Sequence, residues 1–171
     1  MTDFLQLAHD RYSCRAFTDR PVEAEKVDAL LDAAVAAPTA VDRQPWHVWV
    51  VETPEAVERL SACTRFGFGA RVILVVGAAA DEAWVRKYDG RNFADVDASI
   101  VGTHIMLAAH DLGLGTTWVG HFDAPAVKEA FPEMAPYDLV ALFPLGYPAP
   151  EGGPAPKHLE RKSVDELVTR L

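Results

Sequence analysis

"DASIVGTHIMLAAHDLGLG", Asp97 to Gly115, opens with an acid and closes in glycines, the charge and the breaker expected at the two ends of a helix. Ile100, Val101, Ile105, Met106, Leu107, Ala108 and Leu112 cover most of its circumference. A helix that is apolar nearly all round must be buried on every side. The chain has 171 residues, one ordinary domain, so a second subunit is one source of the missing cover.

Apolar runs flank this helix. "RVILVVGA" (Arg71 to Ala78) is unbroken, as expected of a strand covered on both faces. "DLVALFPLGY" (Asp138 to Tyr147) reads as a second strand, although Pro144 conflicts with a central position. "WHVWVVE" (Trp46 to Glu52), aromatic and β-branched, reads as a third. Val27, Leu30, Leu31, Ala34 and Val35 mark an amphipathic helix over Glu23 to Ala36, stopped by Pro38. Thr53 followed by Pro54 starts another. "GYPAPEGGPAP" (Gly146 to Pro156) is an extended connector. Ser163 and Glu166 then form a capping box before the apolar stripe Val164, Leu167, Val168 and Leu171. That stripe docks on its own subunit or reaches across to a partner. The sum is α+β or three-layer α/β, one domain over 1–171 with 148–171 as a C-terminal arm and helix. Strand order is not legible.

The formal charge of -9 disfavours nucleic acid and anionic membranes as partners, since both require spread cationic surface. Cys14 and Cys63 lie in no metal-binding spacing and suit a reducing compartment. "MTDFLQLAHDR" has neither the apolar core nor the cleavage pattern of a signal peptide, so a cytoplasmic domain is expected.

Against that acidic background, cations gather at both ends of the chain. "RYSCRAF" (Arg11 to Phe17) places two arginines around Ser13, and "KHLERKS" (Lys157 to Ser163) adds more. Guanidinium forks and a hydroxyl suit phosphate oxygens; a solvated face with ion pairs is the plainer reading. In "APTAVDRQPWHVWVV" (Ala37 to Val51), Gln44 offers an amide able to pair with a heterocycle, while Pro38, Asp42 and Pro45 would equally make a simple turn. The glycines at 113, 115 and 120 in "LGLGTTWVGHFD" allow close backbone approach to a ligand or serve a helix cap and turn. They match neither a dinucleotide fingerprint nor a P-loop. His104, His110 and His121 show no metal spacing, and no serine hydrolase elbow occurs.

In their order, these segments resemble the nitroreductase family of FMN-dependent oxidoreductases. "RYSCRAF" is similar to its Arg-x-Ser-x-Arg-x-Phe element, "APTAVDRQPWHVWVV" to its Ala-Pro-Ser-x-x-Asn-x-Gln-Pro-Trp loop and strand, and "LAAHDLGLGTTWVG" to its central helix and glycine turn. The resemblance implies a three-layer sandwich with a mostly antiparallel sheet, and an obligate homodimer with FMN at the subunit interface. It also implies NAD(P)H as electron donor, ping-pong hydride transfer and a small electron-poor acceptor such as a nitroaromatic or quinone. Arg11, Tyr12, Ser13 and Arg15, with Arg161 and Lys162, would hold the phosphate and ribityl end. Pro38, Thr39 and Ala40 would lie along the isoalloxazine, with Asp42 and Gln44 near it. Val119 and Gly120 would adjoin the ring, the Gly120 amide facing flavin N5. Arg65 would be the cation beside N1, with Arg71 the alternative. Asp42 stands where the family has Asn, and Thr39 where it has Ser. Trp84, Tyr88 and Phe93, in the only candidate lid, would stack on a planar substrate. A dehalogenase or flavin-cleaving enzyme of the same fold, or a flavin-binding sensor, are the alternatives.

Overall fold

A computed structural model describes residues 3–171. Four strands, β1 (Trp46–Val51), β2 (Val72–Ala78), β3 (Gly115–Thr116) and β4 (Asp138–Gly146), form one antiparallel sheet in the order β1-β2-β4-β3. The helices are α1 (Phe4–Asp10), α2 (Ala24–Val35), α3 (Pro54–Ser61), α4 (Ala94–Asp111), α5 (Ala124–Ala130) and α6 (Val164–Leu167).

Every residue of β2 is buried, and its side chains alternate between two cores. Val72, Leu74, Val76 and Ala78 face α2 and α4 together with Leu30, Ala98, Val101 and Ile105. Ile73 and Val75 face the opposite layer with Leu60, Val127, Phe131 and Met134. The three layers expected from the sequence are therefore present, with helices on both faces of the sheet. The two-residue β3 is too short to leave a periodic signal in the sequence.

The central helix α4 begins at Ala94, three residues before the acid that announced it, because the Asn92 side chain accepts from the Ala94 amide at 2.8 Å. It ends at Asp111, and Gly113 takes the left-handed conformation (φ 73°) that turns the chain into β3. Ala98, Val101, Ile105 and Ala109 are buried, whereas Ile100, Met106 and Leu107 are only half-buried. One face of its apolar surface is thus left without full cover inside the protomer. Gly102 permits the tightest contact on the buried side: a Cβ there would lie 2.7 Å from the Phe143 ring and 2.9 Å from Trp118.

Pro144 sits within β4 opposite Ile73 of β2. Leu142 both donates to and accepts from Val119, on the side away from β2. The position two residues on faces the same way, so the donor that proline lacks is missing from the β3 side of the strand. The ladder there consists of the pairs Gly115–Gly146 and Thr116–Leu145, then a gap at Thr117 and Trp118, then the Val119–Leu142 bridge. The conflict seen in sequence coincides with a break in pairing.

The C-terminal arm doubles back over the N-terminal segment. The Ala149 amide donates to the Ala16 carbonyl at 3.0 Å, and Gly152 lies so close that a Cβ would stand 2.4 Å from the same oxygen. Short 3-10 turns at Pro150–Gly152 and Pro156–Leu159 carry the chain to α6. The Ser163 amide donates to the Glu166 carboxylate at 2.9 Å, and Val164, Leu167 and Val168 remain exposed.

A polar latch ties β4 to the start of α2. The Tyr147 hydroxyl donates to Glu23, which also pairs with Arg20 at 2.7 Å, and the Arg20 guanidinium lies 3.8 Å over the Tyr147 ring. The Tyr147 hydrogen bond is the first cause holding the Glu23 carboxyl down to about 2 from its ordinary 4.5, with the Arg20 bond adding to it. Because the folded value is depressed, the latch stabilises the fold above pH 4.5 and its contribution fades as the pH falls towards 2. Thermal melts across that range are expected to show E23Q less stable than the wild type at neutral pH and converging with it in acid. A constant gap between the two would refute the assignment.

Candidate functional site

The segment Arg11–Phe17 is extended. Ser13 bridges Thr116, the Cys14 amide donates to the Thr116 carbonyl at 3.0 Å, and Phe17 bridges Pro148. Alternation then separates the side chains. Cys14 points into the core, 1% exposed, its thiol pushed up by burial, and fills the space above Gly115. Arg11, Ser13 and Arg15 lie on the other side and share a cavity of about 210 Å³ with Tyr12, Ala155, Lys157, His158 and Arg161. The two basic ends of the sequence meet in this cavity within one protomer.

Arg11, Arg15, Lys157 and Arg161 bring four full positive charges together with no carboxylate among the lining residues. Among the described residues, the ion pairs are Arg20–Glu23, Arg71–Asp19 and Arg86–Asp89, and none involves this cradle. Arg15 donates to the Ser13 carbonyl at 3.2 Å, and Arg161 to the carbonyls of Lys157 and Glu160 at 3.3 and 2.8 Å. These bonds orient the guanidinium groups and leave their charge uncompensated. Tyr12 stands edge-on between His110 and His158, with ring centroids 6.0 and 6.3 Å away. Burial pushes the His110 imidazole towards its neutral form.

Arg15 also lines a second cavity, of about 210 Å³, walled by Phe66, Phe68, Thr117, Trp118, Val119, Gly120 and His121. Phe66 lies 5.4 Å from His121 and 6.0 Å from Phe68. Two ties hold this wall: Thr64 Oγ1 donates to the His121 carbonyl at 2.9 Å, and the Asp123 amide to the Cys63 carbonyl at 2.9 Å. Phe68 has φ 52°, a left-handed conformation costly for a bulky residue. The Gly120 amide donates to no backbone group among the described residues. The whole is a cationic cradle joined at Arg15 to an aromatic slot.

Arg65 borders the neighbouring cavity with Thr64, His121 and Phe122, its guanidinium 5.1 Å from the Phe66 ring. Arg71 is paired with Asp19 at 3.1 Å and lines a different cavity beside Pro21 and Val22. Of the two arginines, Arg65 is the one next to the slot. Lys162 is exposed and does not line the cradle, whereas Lys157 and His158 do. Their presence in the same basic run was the available signal. Phe66 and Phe68, in "TRFGFG", gave none, since nothing in the sequence places that turn beside Gly120.

The loop Pro38–Gln44 lines neither cavity of its own protomer. Val41, Asp42 and Gln44 all have positive φ (48°, 55° and 52°), each costing about 1–2 kcal/mol. Three bonds hold them: the Ala40 amide donates to Asp97 Oδ1 at 2.9 Å, the Gln44 amide to Thr39 Oγ1 at 3.0 Å, and Gln44 Nε2 to Asp42 Oδ1 at 3.0 Å. Arg43 donates to the Glu82 carbonyl at 3.3 Å, so Asp42 has the Gln44 amide as its partner.

Trp84 and Phe93 close the base of a small hairpin, ring centroids 5.1 Å apart, with Val85 bridging Asn92. Tyr88, near the tip, is 86% exposed. Trp84 and Phe93 thus pack on one another, and none of the three lines the slot. Among the described residues no cluster of His, Cys, Asp and Glu is placed to hold a metal ion, and no helix is long and apolar enough to cross a membrane.

A profile of the nitroreductase family matches residues 8–65 and 62–147. A protein of Methanothermobacter thermautotrophicus, provisionally named an NADH dehydrogenase/NAD(P)H nitroreductase, is 35% identical over 158 residues, covering 88% of this chain and 80% of its own. The crystal structure of a nitroreductase family protein from Clostridium difficile superposes with a TM-score of 0.91 at 34% identity, covering 98% of each chain. A provisionally named nitroreductase of Desulfovibrio desulfuricans, crystallised in complex with FMN, gives 0.82 at 28% identity over 100% of this chain and 98% of that one. With a family profile spanning most of its length and relatives this similar, the chain belongs to the nitroreductase family.

Proposed function

We propose that the protein is an FMN-dependent oxidoreductase, a homodimer that takes hydride from NAD(P)H and passes it to a small electron-poor acceptor such as a nitroaromatic or quinone. The observation that carries this reading is the uncompensated cationic cradle joined to an aromatic slot at Arg15. A ligand with a phosphate at one end and a flat ring at the other fits that combination, and the FMN-bound relative supports it.

Arg11, Ser13, Arg15, Lys157, His158 and Arg161 would hold the phosphate, with guanidinium forks matched to its oxygens. Val119 and Gly120 would form the floor beneath the ring, and the Gly120 amide is free to donate to it. Arg65, next to the slot, supplies positive potential where a reduced ring carries negative charge. When bound, FMN supplies the hydride-accepting and hydride-donating chemistry itself; the protein binds, orients and sets the local field. Phe66, Phe68 and Trp118 restrict the slot to flat molecules and limit the access of water.

The dimer is supported by apolar surface the protomer does not cover: Ile100, Met106 and Leu107 of α4, and Val164, Leu167 and Val168 of the arm. Pro38–Gln44, which lines no cavity of its own chain with the cradle residues, would complete the ring site of a second copy. Pro38, Thr39 and Ala40 would then meet the isoalloxazine, and Gln44 its pyrimidine edge.

The test is turnover. Purified protein is expected to carry flavin absorption near that of free FMN and to consume NADH or NADPH when nitrofurazone or a quinone is present. A colourless protein that does not take up added FMN refutes the proposal. The exposed Asp42 carboxylate, neutralised by no cation, favours a second reading, a flavin-binding protein with little turnover. Bound FMN that is reduced only slowly by either nucleotide under anaerobic conditions would select that reading. Brisk reduction without nitro turnover would point to a specialised enzyme such as a dehalogenase or a flavin-cleaving enzyme.

A further inference from the structure

Asp97 is 1% exposed, in the first turn of α4. Its Oδ1 accepts the Ala40 amide at 2.9 Å, a bond spanning 57 residues of sequence, while its Oδ2 is buried with no hydrogen-bond partner among the described residues. Burying a carboxylate with one oxygen unsatisfied costs stability, and the nearby helix N-terminus offsets only part of that cost. A neutral residue would serve the core better. The group that Asp97 does satisfy belongs to the loop with left-handed backbone at Val41, Asp42 and Gln44.

We propose that Asp97 is a positioning residue for the ring-binding loop: its buried carboxylate clamps the Ala40 amide and so fixes how Pro38–Gln44 is presented to the flavin. The inference rests on the flavin reading above. The side-chain hydrogen bond of Asp97 goes to the loop and not to either cavity, so it is not a catalytic residue. Thr39 and Asp42 lock the far half of the loop through Gln44, Arg43 reaches the Glu82 carbonyl, and Asp97 is the buried anchor that ties the loop to α4.

Two variants and two measurements test the clamp. In D97A, FMN affinity measured by fluorescence quenching is expected to fall about tenfold, the loss of one charge-assisted bond. The melting temperature of the FMN-free protein should stay the same or rise, because an unsatisfied buried charge has gone. Hydrogen exchange at the Ala40 amide in the FMN-free protein should accelerate. D97N, which keeps an acceptor oxygen, should restore both affinity and protection. FMN affinity in D97A within about twofold of the wild type, unchanged Ala40 exchange, or a D97N variant that rescues neither, overturns the proposal. A D97A variant that fails to fold or melts well below the wild type also overturns it, since Asp97 would then be a core element. A wild-type protein that binds no FMN defeats the flavin reading instead, and the exchange arm still reports on the clamp.

Discussion

Exchange of both Arg11 and Arg15 for alanine is expected to weaken FMN binding by about 100-fold or more and to weaken riboflavin binding far less. Each guanidinium offers charge-assisted bonds to a phosphate, worth roughly 1.5–3 kcal/mol apiece, and each such loss is about a tenfold to hundredfold change in affinity. Riboflavin lacks the phosphate, so it draws on the aromatic slot, where it can meet Arg15 at the edge but not Arg11. The folded protein should tolerate the change. Neither arginine pairs with a carboxylate, and removing two of four clustered positive charges relieves repulsion in the FMN-free state. Parallel titrations with the two flavins decide the matter. Equal losses for both would mean that the arginines shape the slot rather than bind the phosphate.

Gly152→Ala is expected to reduce FMN affinity by about tenfold or more although residue 152 lines neither cavity. An alanine Cβ would lie 2.4 Å from the Ala16 carbonyl oxygen and 3.2 Å from the Cys14 sulfur. That oxygen also accepts from Ala149, so the backbone cannot withdraw without breaking the bond that seats the arm. Overpacking of this kind costs about 1–3 kcal/mol. Relief comes from lifting the arm, which draws Lys157, His158 and Arg161 away from Arg11 and Ser13. A drop in melting temperature without FMN, together with weaker FMN binding, is the expected pair of results. Wild-type affinity in this variant would show that the arm contributes nothing to the phosphate site.

The three long strands were legible from short apolar runs, β-branched in β1 and β2 and interrupted only by Pro144 in β4, and the length and all-round apolarity of α4 marked it in the same way. What escaped was whatever depends on distant parts of the chain meeting. Asp97 reads as a helix-start acid, and only the fold reveals the Ala40 amide against it. The left-handed residues Val41, Asp42, Gln44 and Phe68 are not glycines, so local propensity gives no warning of them. The cradle was half legible. Its cations stand out in an acidic chain, but which residues of the second basic run turn inward is set by the 3-10 turn at Pro156–Leu159. That turn brings Lys157 and His158 to the cavity and leaves Lys162 outside it.

Pro144 has a wider consequence. A rung absent from the middle of a ladder is a place where two segments cannot zip together, whatever their side chains prefer. Had that position carried an amide hydrogen, the Thr117 carbonyl opposite it would have had a donor, and β3 would have run on unbroken from the Thr116–Leu145 pair to the Val119–Leu142 bridge. By withholding it, one imino acid keeps Thr117 and Trp118, two residues of the slot wall, out of the ladder although the strand is bonded on either side of them. The opening is maintained by a covalent ring that no fluctuation can undo.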